Sequence, residues 1–341
     1  MRVAITGSSG LIGSALAASL RGDGHEVVRL VRSPRDAAAP DAVAWDPAAG
    51  AVDRAGLEGV EGVVHLAGAG VGDKRWTEAR KQEVLESRTR GTGLLAQTLA
   101  ELDPPPKVLV SGSAIGFYGD RGDEELTEDR APGGGFLANL VIAWEQSAQA
   151  ARDAGIRTVL ARTGIVLSTD GGAFPKMLLP FRLGVGGPFG SGRQWMSWIT
   201  LADEVAALRF LLDHDDLEGP VNLTAPGAVR NRDFAKALGR ALHRPAVLPV
   251  PKFALKLVLG GQMAEEMTFF SQRVVPAALT GAGFGFAHPD IDTGLAAVLG
   301  RSGQTDGRPA TGDGDGAGRA GRDGGRTEDE HTENDEDGST A

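Results

Sequence analysis

The chain has 341 residues, 41% of them apolar, enough for one large α/β domain or for a domain with a smaller appendage. It contains no cysteine, which excludes disulfides, thiolate metal sites and a thiol nucleophile, so any redox chemistry must come from a cofactor. The net charge is -10, but residues 301–341 hold 11 acids against 5 bases, and the near-neutral remainder lacks the basic surface that nucleic acid requires.

Residues 2–6 (RVAIT) read as a short apolar strand ended by Gly7, and residues 11–21 carry Leu11, Ile12, Ala15, Leu16 and Leu20 at helical spacing. Met1 runs straight into this strand without a signal-peptide pattern, and no apolar stretch approaches the length of a membrane span. A soluble, cytoplasmic protein with no membrane partner is the expectation. Further strands are predicted at 27–32, 60–66, 107–112 and 156–162, with helical stretches at 76–102 and 136–154 between them. That alternation predicts an α/β fold, a doubly wound parallel sheet of Rossmann type covered on both faces. Beyond about residue 165 the alternation weakens. A glycine-rich loop at 184–192 leads into Trp195–Ile199, and the segments from 165 to 244 are the natural place for substrate contacts. From residue 300 the chain turns glycine-rich and acidic; residues 301–341 contain no Val, Ile, Leu, Met, Phe, Trp or Tyr, which predicts disorder.

The run Thr6-Gly7-Ser8-Ser9-Gly10-Leu11-Ile12-Gly13 follows a strand and opens a helix, the context in which a glycine pattern predicts a dinucleotide site. Gly7 allows the tight turn, Gly10 lets backbone approach a pyrophosphate, Gly13 lets helix pack on strand, and the helix N-terminus supplies amide donors. An acid about twenty residues on would bind the ribose hydroxyls of NAD, and an arginine would accept the 2′-phosphate of NADP. The second strand ends in Arg32, followed by Ser33 and Arg35, which favours NADP(H) over NAD(H); Asp36 lies near enough to keep NAD open. The six histidines (His25, His65, His214, His243, His288, His331) stand singly, and no metal site is expected.

The spacing Gly7-x-x-Gly10-x-x-Gly13 is similar to that of the short-chain dehydrogenase/reductase superfamily. His65-Leu66-Ala67-Gly68, Gly91-Thr92, Ser111-Gly112-Ser113 and Tyr118-Gly119 resemble motifs of its extended, epimerase-like branch. The runs Asp73-Lys74-Arg75-Trp76, Gly119-Asp120-Arg121-Gly122, Arg162 to Leu167 and Gly190 to Ile199 resemble, more narrowly, epimerase family proteins of the 39U type. The resemblance covers about residues 1–299. It implies an NAD(P)-binding epimerase/dehydratase-like domain over 1–244 and a small, mostly helical C-terminal domain of unknown function over 245–299, carrying Leu248-Pro249-Val250-Pro251 and Gln272-Arg273-Val274, ahead of the 300–341 tail. It further implies that Gly7, Ser9, Gly10, Leu11, Ile12, Gly13, Arg32, Asp46, Leu66, Ala67, Gly68, Ser111 and Arg162 hold the cofactor. Asp46 reads equally as the acid facing the adenine or as an Asp-Pro turn residue.

Hydride transfer in this superfamily uses a Tyr-x-x-x-Lys pair, in which the lysine lowers the tyrosine pKa so that it exchanges a proton at neutral pH. The chain has one tyrosine, Tyr118, and the residue four further on is Gly122. On the helix where the pair belongs, the two positions fall near Leu137 and Val141, both apolar. Losing a positioned acid/base group typically costs about 10²–10⁴ in rate. Tyr118 is the substitute donor the sequence offers, with a structural tyrosine as the alternative, and Ser113 could orient a carbonyl or hydroxyl. Lys176 and Arg193 could hold an acidic substrate group or stand on a solvated face; Trp195 and Trp198 could wall a pocket or fill core. The expected function is an NADP(H)-dependent oxidoreductase or epimerase acting on an unidentified small molecule. The alternative is a non-catalytic NADP(H)-binding sensor or regulator, linked to cell division by the names of some relatives. The sequence leaves the oligomeric state open.

Overall fold

The computed structural model describes residues 1–33 and 35–300. The elements of the first half are β1 (Arg2–Thr6), α1 (Leu11–Gly22), β2 (Glu26–Val31), β3 (Ala42–Asp46), β4 (Ala51–Val52), β5 (Gly62–His65), α2 (Glu78–Ala100), β6 (Val108–Ala114), β7 (Glu125–Leu126), α3 (Phe136–Gln146) and α4 (Gln149–Asp153). The second half contains β8 (Arg157–Thr163), β9 (Ile165–Leu167), α5 (Phe174–Arg182), β10 (Trp195–Met196), β11 (Trp198–Thr200), α6 (Leu201–Asp213), β12 (Gly219–Leu223), β13 (Val229–Arg230), α7 (Asn231–Leu242), α8 (Lys252–Leu259), α9 (Gly261–Ala264), β14 (Arg273–Val274), α10 (Ala277–Gly281) and α11 (Ile291–Val298).

Eight strands form one sheet in the order β12-β8-β6-β5-β1-β2-β3-β4, parallel throughout except for the β3–β4 edge. This is the doubly wound architecture predicted. Its strands are apolar on both faces because both are covered. Val3 and Ile5 pack with Leu16, Leu20, Leu208 and Leu211 of α1 and α6, whereas Ala4 between them packs with Leu95, Leu99 and Ala151 of α2 and α4. Chain order reverses between β1 and β5, so the segments that follow them depart toward opposite faces of the sheet and leave a crevice there.

The strand ends fall within one or two residues of their predicted positions, but β3, β4 and β12 were not among the predicted strands. The helical stretch expected over 136–154 is two helices, α3 and α4, separated at Ser147 and Ala148. After β8 a second core forms from Leu167, Phe174, Phe181, Trp198, Phe234, Leu238, Ile291 and Leu295. It joins α5, α7 and α11 to the short β9–β11 strip. Trp198 is therefore core, as one of its two readings held. The region 245–299 is mostly helical, as expected. No helix among the described residues is long and apolar enough to cross a membrane. The predicted disordered tail lies, from Arg301 onward, outside the described residues.

Candidate functional site

The crevice is a groove of about 840 Å³. It is lined by Gly7, Ser9 and Gly10 of the first turn, by Arg32, Ser33 and Asp36 after β2, by Asp46 at the end of β3, and by Leu66, Ala67 and Gly68 after β5. The glycines behave as their spacing requires. Gly7 has φ +66°, and a Cβ there would stand 2.9 Å from the Leu66 carbonyl carbon. A Cβ on Gly13 would meet the Gly7 carbonyl oxygen at 2.3 Å, so α1 can begin this close to β1 only with glycine. The Gly10 N–H donates to Gly7 O at 2.9 Å, and the Ser14 N–H to Gly10 O at 2.9 Å. The amides of Leu11, Ile12 and Gly13 therefore precede the first bonded turn, and are the donors that an anion at this helix start would meet. The side chains of Leu11 and Ile12 do not line the groove, and Gly13 has none.

A buried network sets the turn. Thr6 Oγ1 accepts the N–H groups of Leu66 and Ala67 at 3.0 and 3.1 Å. With both lone pairs engaged, its own proton goes to Nδ1 of His65 at 2.7 Å, so the ring proton sits on Nε2 and donates to Thr92 Oγ1 at 2.9 Å. Thr92 also accepts the indole N–H of Trp144 at 2.9 Å. Burial, with Arg88 adding repulsion, pushes the His65 pKa down to about 4, so the ring is neutral and this tautomer is maintained at neutral pH. His65 and Thr92, quoted in the sequence only as motif letters, thus tie β1, β5, α2 and α3 together beneath the groove.

Beyond the end of β2, Arg32 is exposed and makes no hydrogen bond or ion pair among the described residues, while Asp36 lines the same rim. Asp46 lines the groove and its Oδ1 accepts the N–H groups of Ala48 and Ala49 at 2.9 and 3.2 Å. Both sequence readings of this residue, groove wall and turn residue, describe the same side chain.

The second set of predicted residues lies elsewhere. Arg162, expected to line the cofactor, is 3% exposed and forks onto Glu145 through Nε at 2.8 Å and Nη2 at 3.0 Å. Its Nη1 reaches the Tyr118 hydroxyl at 3.1 Å, and the guanidinium lies 3.5 Å from the Phe117 ring centroid. A buried guanidinium needs a carboxylate, and Glu145 holds it away from the groove. Ser111 is also buried and does not line this groove; its hydroxyl makes a long 3.4 Å contact to Gly112 O. Ser113 donates to Glu145 Oε1 at 2.6 Å. Tyr118 has no solvent exposure and donates to Asn222 Oδ1 at 2.7 Å. Burial raises its pKa against the lowering pull of Arg162 and Asn222, the opposite of what a proton-exchanging tyrosine needs. Its geometry is that of the structural alternative. Helix α3 (FLANLVIAWEQ) has no tyrosine or lysine.

Glu145 and Asn222 escaped the sequence reading. The signal for Glu145 was there: it is the single ionisable residue in an apolar helix, and a buried acid implies a buried cation. Asn222 left no such trace, because its partners, Tyr118 and the carbonyls of Leu126 and Val275, come from three distant segments. Lys176 and Arg193 are exposed at some distance in sequence from this network, and Lys176 reaches the Gly72 carbonyl at 3.4 Å.

Residues 3–223 match the NAD dependent epimerase/dehydratase family, and residues 250–298 match a domain of unknown function (DUF1731). An epimerase family protein of Mycobacterium bovis, Mb2239, is 44% identical over 301 residues, covering 88% of this chain and 98% of the relative. The crystal structure of the human epimerase family protein SDR39U1 with NADPH superposes with a TM-score of 0.80 at 35% identity, over 88% of this chain and 99% of that one. A nucleoside-diphosphate sugar epimerase from Corynebacterium glutamicum gives a TM-score of 0.74 at 37% identity, over 90% and 59%. With the glycine turn, the switch-point groove and matches that span most of the chain, the protein belongs to the NAD dependent epimerase/dehydratase family.

Proposed function

We propose that the groove binds NADP(H) in preference to NAD(H) and that the chain is an oxidoreductase or epimerase-like protein acting on a small molecule. The carrying observation is Arg32: a cation with no partner among the described residues, on the rim of a groove that also takes in a helix start with open amides. The 2′-phosphate of NADP fits the first and a pyrophosphate the second. The human relative crystallised with NADPH supports the same cofactor.

Bound NADP(H) would supply or accept hydride. The chain's own residues do the holding: Gly7 and Gly10 let backbone approach the phosphates, Gly13 seats the helix, and Thr6 with His65 keeps the two crevice walls in register. Ser113, whose proton goes to the Glu145–Arg162 pair, keeps its oxygen lone pairs at the β6 end to accept from a substrate hydroxyl. The non-catalytic reading draws support from two observations, that α3 carries no tyrosine or lysine and that Tyr118 is buried.

Arg32→Ala tests the cofactor. Fluorescence titration is expected to show NADPH weakened by at least about tenfold, the worth of one charge-assisted bond, with NADH unchanged. Equal losses for the two would sink the NADP assignment. Transfer of label from the reduced nicotinamide to a panel of carbonyl compounds separates enzyme from sensor; binding without any transfer favours the sensor.

A further inference from the structure

The segment Gly68–Gly70 beyond β5 is gripped by side chains of α2. Ser87 Oγ accepts the Ala69 N–H at 3.1 Å, Arg80 Nη2 donates to Gly70 O at 2.5 Å, and Arg88 Nη1 donates to Ala69 O at 2.8 Å. The two arginines differ in how their charge is met. Arg80 pairs with Glu83 at 2.7 Å. Arg88 has no carboxylate within ion-pair distance among the described residues; its guanidinium lies 4.9 Å from the Trp144 ring centroid. Glu86, the other nearby acid, is held by Arg90 at 3.1 Å.

Arg88 is desolvated enough that burial, with repulsion from Arg80, brings its pKa down to about 10, so it remains cationic at neutral pH. Its Nε and Nη2 donate to no atom among the described residues, and neither is sealed from solvent. Gly68, which lines the groove, packs against this guanidinium: a Cβ there would stand 3.3 Å from Cζ and 3.4 Å from Nη1. A side chain there would press on the guanidinium; glycine does not. The first-turn amides of α1 already serve a cofactor pyrophosphate, so the charge on Arg88 is left for a second anion.

We infer that Arg88 is a substrate-binding residue, and that the molecule taken up beside the cofactor carries a carboxylate or phosphate which Nε and Nη2 bind past Gly68. This rests on the NADP(H) reading of the groove, and it narrows the substrate from any small carbonyl compound to an anionic one. A planar fork held by an indole face and a carbonyl is preorganised for a two-oxygen anion.

Calorimetric titration of the full chain with inorganic phosphate and with malonate, each with and without saturating NADPH, tests it. Arg88→Met keeps the aliphatic stem against Trp144. It is expected to bind NADPH within about twofold of the parent and to weaken the bound probe by at least about tenfold. Arg88→Lys keeps the charge without the fork, falls between, and carries the comparison if the methionine variant does not fold. Binding of phosphate alone names a phosphorylated substrate, and of malonate alone a carboxylic acid. Failure of both probes on the parent overturns the inference, as does equal probe affinity in parent and variants. A tenfold loss of NADPH affinity in folded Arg88→Met also overturns it, since Arg88 would then serve the cofactor. If the parent takes up no NADPH yet binds a probe through Arg88, the cofactor reading fails and the anion site stands.

Discussion

The C-terminal crest of the sheet is built in two ways. Over β1, β2 and β5 the walls are backbone: glycine turns, open amides and a neutral threonine–histidine network beneath them, with a groove above. Over β6, β8 and β12 the space is filled by side chains, an Arg162–Glu145 ion pair with Ser113, Tyr118 and Asn222 around it. The first half is open because glycine keeps side chains out of it. The second is closed because every charge in it has been given a partner. A cofactor's phosphates suit the first, and in the second the chain's one tyrosine is buried against Asn222 and Arg162.

Breaking the closed half should have the largest effect. Arg162→Met leaves Glu145 buried without its cation, and a loss of about 3–5 kcal/mol in urea unfolding is expected. A loss under 1 kcal/mol would mean that solvent reaches the pair, and the contrast between the halves would weaken. Breaking the open half costs less stability and more binding. Gly13→Ala places a methyl 2.3 Å from Gly7 O, so α1 must shift, at about 1–3 kcal/mol. Nucleotide affinity is expected to fall with it; a folded variant binding NADPH as the parent does would show that the helix start is not the anion site.

Glu204 sharpens the contrast most gently. It is fully buried at the start of α6, where one oxygen accepts the Thr163 hydroxyl at 2.8 Å and the other has no partner among the described residues. Burial pushes its pKa from the ordinary 4.5 up to about 8. The folded state then binds the proton more tightly than the unfolded one. Stability is full below the ordinary carboxylate range and falls as pH rises through to about 8, by at most about 1.4 kcal/mol per pH unit. In Glu204→Gln that slope should disappear from stability curves taken between pH 5 and 8. An unchanged slope would assign the titration to another group.

The open half was legible because its requirements are local. A strand, three glycines at fixed spacing and a helix lie within residues 2–22, and Arg32 follows at the end of the next strand. The closed half could not be read in the same way. Arg162 and Tyr118 were visible as motif letters, but the first was assigned to the cofactor and the second to proton transfer, because the sequence does not show that Glu145 stands opposite one and Asn222 opposite the other. Arg88 was passed over altogether; beside Thr89 and Arg90 on a polar helix it looks like any solvated base.

The sequence by itself determined the alternating strands and helices, the phosphate turn, the cation at its rim, the absence of a second tyrosine and the family. These depend on periodicity, on glycine's backbone freedom and on residue identity, all of which are properties of neighbours along the chain. Only the tertiary structure decided which charges were neutralised and which were left open. Pairing is a matter of distance across the fold, and the carboxylate that Arg162 meets and Arg88 lacks is set by how α2, α3 and β8 come together.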